Sequence, residues 1–455
     1  MKLTIYHTND IHSSFTGLAQ AASYLRYHRR SEDLYFDCGD LCDLKDITVQ
    51  GTGGKGAIRL MKQAGADAMA IGNNEIDLEH DALTACSREG LPLISCNVVD
   101  NDGNMIGNIN KSLIIERAGV RFLLIGISPY YAADRRPNAY NLFFQMGNIM
   151  TIDPLPQIQQ EIELNKGKYD FCILLSHSGL ATEEWFLEQL PEIDLCLGGH
   201  SHSLCSSDRY SQAGGLGQHL GAVHLTIEGQ KVVNMTTETI EMTMEPDKDM
   251  IELWKQQEQL ALECLDKTLY EVGRLQWDVE KENLLTNFIA DALYANYPCE
   301  LAFINSGIVE GEIEGRISKK LLIELSPSKL NPTRFPVSGR QLKQAILHAL
   351  DSEFVHQSGK GAGVRGKVLG TLGFSHNVRI QRNPFEILIN GDPLSEDRAY
   401  VCMADDSLQR GTGYTELATD DTHAEFFRGF IRDLLERTLN DPEILKSAHI
   451  QRILD

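Results

Sequence analysis

The chain has 455 residues, 42% of them hydrophobic and 23% charged, so it is long enough for two domains with separate cores. Its formal net charge of −22 excludes a binder of the nucleic-acid backbone, which needs a basic face, but not one of a small phosphorylated molecule, since bound cations reverse a field locally. No stretch approaches the roughly 18 apolar residues of a membrane span, and the polar-interrupted start does not resemble a secretory leader. Ten cysteines stand without a CxxC pair, several inside apolar runs (Cys172, Cys196, Cys402), as expected of reduced, buried thiols in a cytoplasmic protein.

In chain order, apolar runs predict strands at 3–7, 34–37, 68–71, 91–96, 171–175 and 195–197, and helical spacing falls between several of them at 18–30, 57–64 and 81–89. A hairpin is expected from 113–116 and 121–127, turning at Ala118-Gly119, and a second strand pair from 221–227 and 231–239. This alternation predicts a layered α/β domain with a partly mixed sheet over 1–245. The character changes near Glu245-Pro246-Asp247, where apolar residues at helical spacing (Ile251, Trp254, Leu262, Leu265) predict a linking helix at 246–270. A second α/β domain follows at 271–455, with helices at 283–297 and 339–351, a strand at 301–304 and a glycine-rich region at 359–373.

Six short stretches carry the chemistry: Asp10-Ile11-His12, Gly39-Asp40, Gly72-Asn73, Ser176-His177 and Gly199-His200-Ser201-His202, with Asn74-Glu75-Ile76-Asp77 after the third. Most follow a strand-like run, so their side chains are expected to converge at one sheet edge. Any one of these stretches by itself reads as an ordinary loop or turn. Together they supply carboxylate, imidazole and amide donors, a mixed hard and borderline set that suits Mn, Zn, Fe or Co. Asp40 can use its two oxygens to bridge two divalent metal ions about 3.5–4 Å apart.

In this order the motifs resemble the pattern of the calcineurin-like metallophosphoesterases, and more narrowly the 5′-nucleotidase/UDP-sugar hydrolase/2′,3′-cyclic phosphodiesterase family. The resemblance implies a four-layer αββα domain, then a smaller α/β domain of the 5′-nucleotidase C-terminal kind. It also implies a first metal site from Asp10, His12, Asp40 and His202, and a second from Asp40, Asn73, His177 and His200. Ala302-Phe303-Ile304-Asn305-Ser306-Gly307, Val337-Ser338-Gly339-Arg340-Gln341-Leu342, Ile389-Asn390-Gly391-Asp392-Pro393-Leu394 and Gly411-Thr412-Gly413-Tyr414 extend the likeness over nearly the whole chain.

Two departures stand out. Asn74 occupies the place of the histidine that, in the family, contacts the phosphate and is oriented by an acid that Asp77 resembles. An amide can donate a hydrogen bond there but cannot deliver a proton, a contribution typically worth ~10²–10⁴-fold. After Asn305 the family's phosphate-gripping arginine is missing, and Glu310 lies near its place. Asn305 is a candidate substrate contact, Arg365, Arg379 and Arg410 are the candidate replacement cations, and Phe374 and Tyr414 the candidate stacking rings. The expected activity is two-metal hydrolysis of a phosphoric ester, with a nucleotide or nucleotide-like small molecule as the expected substrate, through attack of a hydroxide bridging the ions. A catalytically weak, nucleotide-binding relative with an intact metal site is the alternative, and a phosphoprotein phosphatase is a third reading.

Overall fold

The computed structural model describes residues 1–359 and 368–455. The chain divides into two compact units, Met1–Cys264 and Leu265–Asp455.

The first unit is built on two six-stranded sheets. In one, the strands Lys2–Thr8, Leu34–Asp37, Ala68–Ala70 and Leu93–Ile94 run parallel, and His219–Glu228 and Lys231–Glu241 extend the edge in antiparallel fashion. In the other, Val120–Ile127, Phe171–Ser176, Leu195–Leu197 and Tyr210–Ala213 are parallel, flanked by antiparallel Ser112–Arg117 and Leu204–Ser207. The reason for burial on both faces is visible in Phe171–Ser176. Phe171, Ile173 and Leu175 point into the core shared with Leu3, Ile5, Leu34 and Phe36 of the other sheet. Cys172 and Leu174, one residue out of phase, pack outward with Ile158 and Phe186 of the helices Pro154–Leu164 and Leu180–Gln189. A strand covered on both sides must be apolar at every position, which is why it reads as an unbroken run. On the opposite outer face, the Tyr35 hydroxyl reaches Met61 Sδ of helix Lys55–Gln63. Helix, sheet, sheet and helix thus form the expected four layers.

The hairpin turns at Ala118-Gly119, both with positive φ (55° and 77°), the twist that two-residue connections require. The strand expected at 91–96 shrinks to Leu93–Ile94. Pro92 offers no N–H, and Ser95 and Cys96 send theirs to Asn110 and Gly126 instead of to the neighbouring strand. Helix Lys248–Leu265 packs on the first unit. Trp254 meets Phe15 edge-on at 5.6 Å, Gln257 accepts from Arg59, and Arg26 pairs with Asp247 and Asp249 at the helix start. Gly51 lets Ala261 come so close that a Cβ would lie 2.4 Å from its Cα.

In the second unit a five-stranded sheet runs in the order Leu372–Phe374, Leu301–Asn305, Ala399–Asp405, Pro332–Ser338, Glu425–Phe426. Asn283 caps helix Leu284–Asn296 through the Thr286 N–H, and Phe288, Ile289 and Leu293 are buried in the core on one side of the sheet. Ser338 and Gln341 form a capping box that opens helix Gly339–Ala349 against the other core. A buried pair, Arg452 and Asp291 at 2.6 Å, ties the last residues to this helix framework, and the His376 N–H also bonds Asp291. Among the described residues, no helix is long and apolar enough to cross a membrane.

Candidate metal centre

All seven candidate ligands lie just beyond the C-terminal ends of parallel strands in the first unit. The loop after Lys2–Thr8 is laced to the loop after Leu34–Asp37: Asp10 N–H bonds Gly39 O and His12 N–H bonds Asp40 O, both at 2.9 Å. Asp10, His12, Asp40, His200 and His202 all have positive φ, between 45° and 70°. For side chains other than glycine such backbone costs of order 1–3 kcal/mol per residue and persists only where the surroundings enforce it. Glycines permit the crowding. A Cβ on Gly39 would sit 2.6 Å from Gly72 N, and one on Gly72 would sit 2.2 Å from an Asp40 oxygen. The Gly-Asp and Gly-Asn pairs therefore record two loops pressed together.

Two donor clusters result, Asp10–His12–His202 and Asp40–His177–His200. In the first, His202 Nε2 lies 3.2 Å and His12 Nε2 3.6 Å from Asp10 Oδ1, and the two imidazole nitrogens face each other at 3.1 Å. In the second, His177 Nε2 is 3.3 Å from Asp40 Oδ2, and His200 Nδ1 is 2.9 Å from Asn73 Oδ1. Asp40 Oδ2 also lies 3.7 Å from His12, so its carboxylate stands between the clusters.

Electrostatics favour cations here. Asp10 Oδ1 and His177 Nε2 are buried yet have no hydrogen-bond partner among the described residues. Burial works against charge on His177, yet the Asp40 and Asp10 carboxylates win and raise its pKa to about 10. Those carboxylates are in turn held below their ordinary range, despite burial, by the same imidazole and by neighbouring hydrogen bonds. One proton on His177 thus offsets two carboxylates, the role that divalent ions fill more completely. The donor types, the orphaned atoms and the bridging place of Asp40 all fit a pair of divalent cations.

Surrounding residues hold these ligands, and the motif pattern does not single them out. Glu75, fully buried, accepts from the N–H groups of Asp40, Cys42 and Gly72 at 2.8–2.9 Å, clamping two ligand loops together. Its carboxyl is pushed up by burial and then by Asp40. Glu183 does the same on the other sheet, accepting from the N–H groups of Ser178, Gly179 and Gly199 and from the Tyr210 hydroxyl. Asn9 donates to Asp10 Oδ2 and to Gly214 O. Tyr140 Oη is 2.9 Å from His200 Nε2. With Nδ1 on Asn73 Oδ1 and Nε2 on the Tyr140 hydroxyl, the His200 ring is held at both nitrogens. The signal available in sequence was only that two acids lie shortly after ligand motifs and that their neighbours read as loops.

The catalytic candidates take specific places. Asn74 is buried; its backbone N–H bonds Asp40 Oδ1 at 2.8 Å and its side-chain amide bonds Asp40 Oδ2 at 2.6 Å. The amide expected to face a phosphate is engaged with a candidate ligand in this structure. Asp77, half-buried, caps the single helical turn Asn73–Ile76, its N–H bonding Asn73 O.

Of the second-unit candidates, Phe374 and Tyr414 share one core. Phe374, 2% exposed, packs with Phe303 in the core, and Tyr414, fully buried, gives its hydroxyl to Gly370 O. Both rings lie in one apolar core of the second unit, and neither presents a face to solvent in this structure. Asn305 is buried, and its oxygen accepts from Gly307 N–H to cap the turn Ser306–Ile308. Arg410 is held between Asp406 and Asp421 and lies over Phe426. Arg379 is exposed on the strand Val378–Gln381, and Arg365 lies outside the described residues.

Comparison with known proteins agrees with this architecture. Residues 3–204 match the calcineurin-like phosphoesterase family, and residues 268–419 match the 5′-nucleotidase C-terminal domain. An uncharacterized metallophosphoesterase of Bacillus subtilis, YunD, is 28% identical over 95% of this chain and 98% of its own. A 5′-nucleotidase of Diplobatis ommata is 23% identical over 92% of this chain and 84% of its own. The crystal structure of the NAD nucleotidase of Haemophilus influenzae superposes with a TM-score of 0.64 at 14% identity, over 100% of this chain and 98% of that one, a likeness of fold. With both domains matched in order, the chain belongs to the calcineurin-like metallophosphoesterases that carry a 5′-nucleotidase C-terminal domain, a family of phosphoric ester hydrolases.

Proposed function

We propose that the chain hydrolyses phosphoric esters of nucleotides or nucleotide-like small molecules at a centre of two divalent cations. Asp10, His12, Asp40 and His202 would hold one cation and Asp40, Asn73, His177 and His200 the other. Bound there, the cations supply Lewis acidity and offset charge on phosphoryl oxygens. The observation that carries the reading is the pair of buried atoms without a hydrogen-bond partner among the described residues, Asp10 Oδ1 and His177 Nε2, 3.8 Å apart, with the Asp40 carboxylate 3.3 Å from His177 and 3.7 Å from His12. Glu75 and Glu183 would keep the ligand loops in register. Asn74, holding Asp40 with two N–H groups, would orient that bridging carboxylate, and Asp77 is placed close in sequence to support it.

A weakly catalytic, ligand-binding relative is the second reading, and the engagement of Asn74 with Asp40 favours it. A Mn²⁺-dependent assay over a panel of phosphate esters, run beside Asp40→Ala, decides between them: hydrolysis abolished by the substitution supports the enzyme, and equal rates for the two proteins on every ester overturn it. A reducing compartment, as in the cytoplasm, is supported by ten cysteines that are all free thiols.

A further inference from the structure

Polar side chains buried in an apolar interior are costly unless each one is bonded. Ser95, Asn97 and Ser128 are all 0% exposed, and they bond one another where the two sheets of the first unit meet. The chain brings them there by crossing from sheet to sheet. Leu93–Ile94 pairs with Ala68–Ala70 in the first sheet, and the Cys96 N–H then bonds Gly126 O of Val120–Ile127 in the second, at 2.8 Å. Gly126 lets the segment pass, since a Cβ there would lie 2.2 Å from Ile94 O.

Ser128 is the member that joins the sheets: its hydroxyl donates to Ile71 O at 2.6 Å. Asn97 grips the Ser128 backbone, accepting its N–H at 2.8 Å and donating to its carbonyl at 3.1 Å. Ser95 Oγ, 2.9 Å from Ser128 Oγ and 3.1 Å from Asn97 Oδ1, fixes the rotation of the Ser128 hydroxyl. Both ends of this link lead to candidate ligands of one cation site. Ile71 runs through Gly72 to Asn73, and Ile127, next to Ser128, accepts the His177 N–H at 3.0 Å. Glu75 already ties the Asp40 loop to Gly72, and Glu183 ties Ser178 to Gly199. The link through Ser128 supplies the tie between Asn73 and His177. Among the described residues, none of its three side chains bonds Asp10, His12 or His202.

We propose that Ser128, oriented by Ser95 and Asn97, is a positioning residue that fixes the spacing of Asn73 and His177. It thereby sets the cation affinity of the site formed by Asp40, Asn73, His177 and His200 without acting on the other site. The assignment rests on the reading of the centre as a pair of cation sites.

Calorimetric titration of the full chain with Mn²⁺, with electron paramagnetic resonance of the same samples, tests it. The parent protein is expected to bind two ions and to give the coupled spectrum of a close pair. Ser128→Ala cuts the link to Ile71 O. It is expected to weaken one site by about 10–100-fold, the range for residues that hold ligands, and to leave the other unchanged. The coupled spectrum should give way to that of isolated Mn²⁺. Ser23→Ala is the control: it removes another buried hydroxyl, bonded to Glu245 O at 2.7 Å, and should keep both sites and the coupled spectrum. Ser128→Cys keeps a weaker donor in place and is expected to fall between the parent and Ser128→Ala; if Ser128→Ala does not fold, it decides by the same titration. Affinities at both sites equal to the parent's in the folded Ser128 variants, equal weakening of both sites, or the same selective loss in Ser23→Ala overturns the assignment while the two-cation centre stands. A parent protein that binds no Mn²⁺ removes the centre and the assignment with it.

Discussion

The two units of this chain answer differently to the same kind of motif reading. In the first, candidate ligands up to 192 positions apart meet within a few ångströms: Asp10 and His202 lie 3.2 Å apart although separated by most of the unit. In the second, the candidate stacking rings Phe374 and Tyr414 are buried core, and Arg410, a candidate cation, is held by two carboxylates. The difference teaches what kind of function a motif can carry. Metal ligation needs particular atoms at strand ends, and parallel strands deliver their C-terminal ends to one edge by topology alone. Stacking on a ligand needs an exposed face, and exposure is a property of the packed unit.

The largest effect expected from this contrast is Asp40→Ala, which removes the carboxylate between the clusters and should lower Mn²⁺-dependent ester hydrolysis by on the order of 10³-fold or more. Steady-state rates beside a circular-dichroism check of folding measure it. Tyr414→Ala should act in the opposite currency. Loss of this core ring is expected to cost roughly 3–5 kcal/mol of stability, with KM unchanged at temperatures where the protein stays folded. A selective rise in KM without a loss of stability would put Tyr414 back among ligand contacts and dissolve the contrast.

Metal removal should separate the units thermally. With metal a few hundred times above its Kd, chelation should destabilise the first unit by about 3–4 kcal/mol, and a transition assigned to the second unit should not move. Calorimetric scans with and without chelator report this. Glu75→Gln places an amide N–H against backbone N–H groups of the two loops that Glu75 clamps. It is expected to weaken metal binding by roughly 10–100-fold, read by titration against a competing chelator. Glu75→Asp, which keeps the charge, should recover part of that loss. The smallest change is Tyr140→Phe. Without the hydroxyl that steadies His200, kcat should fall by about tenfold with the fold intact.

Much of the first unit was legible in advance because its physics is local. The apolar run at 171–175 predicts a strand that the structure has at Phe171–Ser176, whereas the glycines before Asp40, Asn73 and His200 read as turn chemistry and only the folded loops show the close backbone approach they permit. Asn74 was legible as a departure but not in its consequence, since only the folded loops show its amide turned to Asp40. Glu75 and Glu183 were not legible as clamps. An acid after a ligand motif reads as solvated, and its partners are backbone N–H groups, which are the same at every position and leave no residue signature.

The order of strands and helices, the candidate donor types and the family were thus determined by the sequence itself, through periodicity and through side chains whose chemistry has few substitutes. Tertiary structure alone decided which rings are core, which acids are buried and which polar atoms are left unpaired. Those properties depend on what packs against a residue from distant parts of the chain, and neither composition nor spacing carries that information.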